Sequence, residues 1–216
     1  MLNARVKLIW QLVIVSVILL IGVYLWFFRA QLVIAPVTQN NASNLSSYID
    51  PSGSISFSYD KNFTTLIPGT QEETVDWRLD AQNNGIVFAT LTISRSYMTG
   101  TNFSEARMTF GRSSELSSIL SCIEVGQNEE DAGSVLMGGL PFHKIISKDA
   151  AAGNFYEVTS YRGILDGDCY VIEYFIHSTN IGNYSPDQNI KEFDKVKVQA
   201  ELEKVVQSFK FLLSSE

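Results

Sequence analysis

Side chains able to do chemistry are few in this sequence and far apart. The two histidines are His143 and His177, and the two cysteines are Cys122 and Cys169. A Ser–His–acid triad needs a histidine beside an exposed nucleophile. No Gly-x-Ser-x-Gly elbow is present to supply one. Zinc needs three or four ligands at set spacing, which two isolated histidines do not offer. Carboxylates are the remaining resource. Glu129-Glu130-Asp131 reads as a solvated acidic loop, and Asp166 and Asp168 flank Gly167 in a turn. Neither run matches a calcium loop of the EF-hand type. Gly138-Gly139 lacks the Lys-Ser/Thr that a phosphate-binding loop requires. No cofactor, metal or catalytic set is therefore expected, and the reading leans away from an enzyme.

The cysteines carry a different expectation. Neither lies in a Cys-x-x-Cys pair or beside a basic residue that would lower a thiol pKa. In an oxidising compartment they would form a structural disulfide. Its loop closure would stabilise the fold by about 3–4 kcal/mol in the chain-entropy model. Two separate buried thiols are the alternative. A second unusual run is Ala150-Ala151-Ala152-Gly153-Asn154, rich in small residues. It fits a helical turn ended by Gly153, a close-approach surface for a partner, or a plain connector. Five Asn-x-Ser/Thr sequons occur, at Asn41, Asn44, Asn62, Asn102 and Asn183; they matter only in a eukaryotic secretory pathway.

The compartment follows from the N-terminus. Residues 8–28 read LIWQLVIVSVILLIGVYLWFF, without a charge. A helix of that length spans roughly 30 Å, the thickness of a bilayer's hydrocarbon core. Trp10 lies near one end and Tyr24 and Trp26 near the other, matching the two headgroup regions. Arg5 and Lys7 precede the span and only Arg29 follows it closely, which places the N-terminus in the cytoplasm. A cleaved signal peptide is the rival reading, but its apolar stretch should be shorter and end in small residues. No cysteine follows that could carry a lipid anchor. The expected organisation is a short tail and anchor over 1–29, a flexible extracytoplasmic tether over 30–53, and a globular extracytoplasmic domain over 54–216. The expected localisation is the cell membrane, single-pass.

Charge sharpens this division. The chain's formal net charge is −7. Residues 1–29 hold Arg5, Lys7 and Arg29 and no acid, so removing those three positive charges leaves −10. A domain this acidic repels phosphate backbones, which disfavours nucleic-acid binding.

Along the domain, Ile55, Phe57 and Tyr59 alternate with serines as in a half-buried strand. Gly85–Met98 gives a second alternating run. Arg107–Ser113 fits strand or helix, and Ser114–Ile123 fits a helix. Gly126–Gly133 reads as a polar turn region. Ser134–Met137 and Phe142–Ser147 read as strands on either side of the Gly138-Gly139 turn. Phe155–Leu165 and Asp168–Thr179, joined through Asp166-Gly167-Asp168, predict a long hairpin. From Asp194, the residues Val198, Leu202, Val205 and Phe209 form one apolar helical stripe. Asp194 and Lys210 suit the two ends of its dipole. The predicted class is α+β, a mostly antiparallel twisted sheet packed by helices.

Three segments resemble the PsbP-like superfamily: Ser54-Ile-Ser-Phe-Ser-Tyr-Asp-Lys-Asn-Phe63, Gly139-Leu-Pro-Phe-His-Lys-Ile145 and Val205-Val-Gln-Ser-Phe-Lys-Phe211. The likeness spans about residues 54–212. It implies an α/β/α-type sandwich and a role in binding or assembly rather than catalysis. No functional residue of that group maps onto this chain. Residues 149–193 also resemble envelope proteins of unknown function. The function expected from all this is a non-enzymatic binding or assembly module of the cell envelope, with an envelope protein as partner. Two alternatives remain: an extracytoplasmic hydrolase built from carboxylates gathered by folding, and a small-ligand sensor.

Overall fold

The computed structural model describes residues 44–62, 64–68 and 85–212. The chain divides into two units, 1–42 and 43–216, and every described residue belongs to the second. The expected anchor over 8–28 and the tether up to residue 43 lie outside the described residues. Among the described residues, no helix is long and apolar enough to cross a membrane.

Among the described residues, ten strands and two α-helices follow one another. The strands are β1 (Leu45–Ile49), β2 (Ile55–Asp60), β3 (Thr64–Pro68), β4 (Ile86–Ser94) and β5 (Phe103–Ser113), followed by helix α1 (Leu116–Ser121). Then come β6 (Glu129–Met137), β7 (Leu140–Ala151), β8 (Asn154–Leu165), β9 (Asp168–Thr179), helix α2 (Lys195–Ser208) and β10 (Lys210–Phe211). One sheet has the order β1-β2-β10 and the other β3-β4-β5-β9-β8-β7-β6. All pairings between these strands are antiparallel. The predicted α+β class with a mostly antiparallel sheet describes this molecule.

Period-two alternation explains the layering. On β9, Tyr170, Ile172, Tyr174 and Ile176 join the main core, while Cys169 and Val171 join a smaller cluster with Cys122. The seven-stranded sheet thus has an inner face and an outer face. The inner face is covered by α2 and the small sheet. Val198, Leu202, Val205 and Val206 of α2 are buried there, as the apolar stripe predicts. The Asp194 side chain caps the helix by accepting from the Lys197 backbone N–H at 3.0 Å. Lys210 falls in β10, past the helix end, so its predicted dipole role does not apply. Between the two sheets runs a chain of rings. Phe57 stacks on Phe110 at 4.0 Å between centroids, Phe110 meets Phe209 at 6.3 Å, and Phe209 meets Phe211 at 5.0 Å.

Three expectations need correction, and one open alternative is resolved. The folded domain does not start at Ser54: Leu45–Ile49, expected within the tether, is strand β1, paired along its length with β2. The reason is Tyr48, whose ring packs 5.1 Å from Phe57 and whose hydroxyl donates to the Phe88 carbonyl at 2.6 Å. Glu129-Glu130-Asp131 is not a loop but the start of edge strand β6. Ala150–Asn154 is not a helical turn. Ala150 and Ala151 end β7, Asn154 begins β8, and Ala152 and Gly153 form a tight turn with φ of +48° and +79°. Arg107–Ser113, open between strand and helix, is strand β5.

Candidate functional site

The outer face is laid out in rows of cross-strand neighbours. The first is Glu105–His177–Tyr156–Asp149 across β5, β9, β8 and β7. The second is Arg107–Phe175–Val158–Ser147, and the third is Thr109–Glu173–Ser160–Ile145. The fourth, Gly111–Val171–Arg162–His143, ends on Ser134 of β6. Burial rises along this series. The first two rows are half-buried or exposed, whereas Thr109, Ser160, Ile145, Val171 and Arg162 of the later rows are buried.

The open rows concentrate polar and aromatic groups. The Tyr156 and His177 rings stack 4.7 Å apart, and the Arg107 guanidinium lies 5.5 Å from the Phe175 centroid. Arg107 also pairs with Glu105 at 3.7 Å. His177 Nε2 lies 2.9 Å from Asn154 Oδ1, an acceptor, which fixes the proton on Nε2 and leaves Nδ1 as an acceptor. Burial pushes the His177 imidazole below its usual range, and the Glu105 carboxylate opposes this only in part. The histidine is therefore neutral near pH 7. Its hydrogen-bond partner is an amide, not a nucleophile. This surface can stack and hydrogen-bond a partner; it holds no nucleophile–base pair.

The buried rows are closed by α1 and the loop after it. Cys122 and Cys169 form a disulfide with Cα atoms 5.7 Å apart, joining α1 to β9. Further on, Arg162 grips the loop. Its side chain is 2% exposed, and it donates to the Glu124 carbonyl at 3.2 Å and to the two Glu129 carboxylate oxygens at 3.0 and 2.5 Å. Its Nε donates to Ser160 Oγ at 2.9 Å. A buried guanidinium needs such a set of partners, because an unpaired one carries a heavy desolvation cost.

A second polar cluster lies on the inner face. Glu203 of α2 accepts from the Tyr161 hydroxyl at 2.6 Å, the Tyr174 hydroxyl at 2.8 Å and Lys144 Nζ at 2.9 Å. Burial pushes its carboxyl up, but these donors outweigh burial and hold it below the usual carboxylate range. Burial, reinforced by Glu203, pushes the Tyr161 phenol far above its ordinary value. The Tyr174 phenol also rises strongly, with burial again the largest cause. The cluster is a fixed ionised anchor between helix and sheet.

The sequence-derived candidates separate in space. His143 and His177 stand on β7 and β9, with β8 between them. Ala150, Ala151 and Ala152 are exposed at the β7–β8 hairpin end. Gly153 is closely approached by the chain itself: an added Cβ would lie 2.6 Å from Asn183 Nδ2, which donates to the Gly153 carbonyl. Of that run, Asn154 reaches the open rows through His177. The sequon residue Asn102 is buried, and its amide is taken up by Thr179 and Phe193. Sequence reasoning missed Arg162, Glu203 and Arg107. The available signal was Arg162 itself, a charge inside a strand of otherwise buried residues, which demands an acidic partner.

No family model matches the sequence, and no curated protein does. The crystal structure of LpqN, involved in cell envelope biogenesis of Mycobacterium tuberculosis, aligns with 78% of this chain and 91% of its own. Identity is 8% and the TM-score 0.34. At that level of similarity, the fold description rests on this chain's own topology.

Proposed function

We propose that this chain is a membrane-anchored, extracytoplasmic, non-enzymatic binding or assembly module of the cell envelope. Its binding surface is the open end of the outer sheet face, and its partner is an envelope protein. One observation carries the reading: Arg107, Tyr156, Phe175 and His177 stand together on adjacent strands, half-exposed. Aromatic residues and arginine are the types enriched where proteins bind one another. The apolar span at 8–28 and the PsbP-like resemblance support the same reading from the sequence side. A carboxylate hydrolase would need a proton-donating carboxyl held above its usual range. Among the described residues, the carboxyls that shift, Asp50, Asp187 and Glu203, are all lowered.

The test is site-specific photo-crosslinking of the full chain in its native membranes, with p-benzoylphenylalanine in place of Tyr156. One discrete protein adduct is expected, and Arg107→Glu should abolish it. Absence of any adduct from Tyr156 and from Phe175, in membranes where the chain is abundant, overturns the reading.

A further inference from the structure

Helix α1 leaves most of its apolar surface uncovered. Its inward side carries Ser118, 6% exposed, whose hydroxyl has no hydrogen-bond partner. Ile119 packs inward against the Cys122–Cys169–Val171 cluster, but Leu116 is 68% exposed and Leu120 69%, with Ile123 exposed just past the helix. Two fixtures hold the helix as it is, the Cys122–Cys169 bridge and the Arg162 grip on the following loop. The same end of the outer face continues the apolar surface. Ile164, cross-strand neighbour of Cys169, and Leu136, neighbour of Pro141, are both exposed, Leu136 to 78%. The patch is separate from the Arg107–Tyr156 surface, which lies at the other end of the strands.

We infer that this patch docks on the lipid surface of the membrane that holds the chain. The inference rests on the anchor reading above. Three features select lipid over other occupants. The patch is aliphatic, with none of the Trp, Tyr or Arg anchors that dominate protein interfaces. Its rim is acidic, with Glu115, Glu124 and Asp166 exposed, and the domain as a whole is strongly negative. Both repel a second copy of the chain and anionic lipid, and leave a zwitterionic lipid surface as the occupant. Finally, residues 29–44, between the apolar span and β1, reach at most about 58 Å when fully extended. The lipid surface therefore stays within reach at high effective concentration, and a shallow apolar contact suffices.

The full chain, reconstituted in phosphatidylcholine vesicles, carries p-benzoylphenylalanine in place of Leu120 or, separately, in place of Val196, which is 74% exposed on α2. After irradiation, lipid adducts on each peptide are quantified by mass spectrometry. Leu120 should yield about tenfold more lipid adduct than Val196, and Leu116→Gln should cut the adduct from an Ile164 probe about tenfold. Both variants lie on exposed positions, so folding is retained, and disulfide formation reports it. Equal yields at 120 and 196, or adducts to a second copy instead of lipid, overturn the docking. Alkaline carbonate extraction separates the two readings. A chain released by carbonate overturns the anchor, and with it the docking. A chain retained by the vesicles without the Leu120 adduct overturns the docking alone.

Discussion

The two faces of the seven-stranded sheet are made by the same strands and do opposite things. The inner face is dry and aromatic, closed by α2 and the small sheet, with Phe57, Phe110 and Phe209 in mutual ring contact. The outer face keeps its charges. One end is open and carries Arg107, Tyr156 and His177, and the other is closed by a six-residue helix that a disulfide and a buried guanidinium hold in place. Apolar burial and the Glu203 anchor hold the inner cover, whereas a disulfide and the buried Arg162 hold the outer one. Both covers contribute stability, and the open end of the outer face is left uncovered.

This asymmetry makes graded predictions. Phe57→Ala opens a cavity between the sheets and should cost about 3–5 kcal/mol, read by urea unfolding of the full chain in mild detergent. Replacing both cysteines by serine should cost about 3–4 kcal/mol. It should also raise amide exchange in 116–129 far more than in α2. Equal exchange in both regions would show that the bridge does not hold the outer cover. Glu203→Ala strands two buried phenols and should cost about 2–3 kcal/mol, with Tyr161 and Tyr174 gaining solvent access by ultraviolet difference spectroscopy.

Acid should act through the same carboxylate and through Asp50. Burial pushes the Asp50 carboxyl up, but donation from Ser52, Ser54 and Ile55 outweighs it. Both groups are lowered on folding, so the unfolded chain takes up their protons first. Their contribution is complete above the ordinary carboxylate range, about pH 4, and is lost as pH falls through the lowered folded values. The unfolding midpoint should therefore fall steeply only below about pH 4, and Glu203→Gln should flatten that decline. The smallest effect is expected on the outer face. Arg107→Ala should shift stability by less than about 0.5 kcal/mol while weakening the crosslinking proposed for Tyr156.

The parts of this fold that were legible in sequence are those where one face is fully buried. The β8–β9 hairpin showed through alternation and Asp166-Gly167, whose φ values of +51° and +84° make the expected turn. Helix α2 showed through its stripe. Strand β1 did not, because Leu45 and Ile49 stay exposed and Tyr48 alone carries the burial. The start of β6 did not, because an edge strand can be polar on both faces. The pairing of β5 with β9 joins segments far apart in sequence, and no local signal encodes it. The open rows of the candidate surface were invisible for the same reason: Arg107, Tyr156 and His177 come from three strands, and only the register brings them together.

The small sheet also has a consequence for how the molecule is made. Strand β2 pairs with β10, and Ser208 Oγ bonds the Ser58 backbone across a separation of 150 residues. A chain that emerges N-terminus first presents Ile55 and Ser56 long before their partners Phe211 and Lys210 exist. Until those residues are made, that apolar edge is open to chaperones, to proteases and to mispairing with another nascent chain. A chain lacking residues 209–211 should be a nearly complete but unsealed domain.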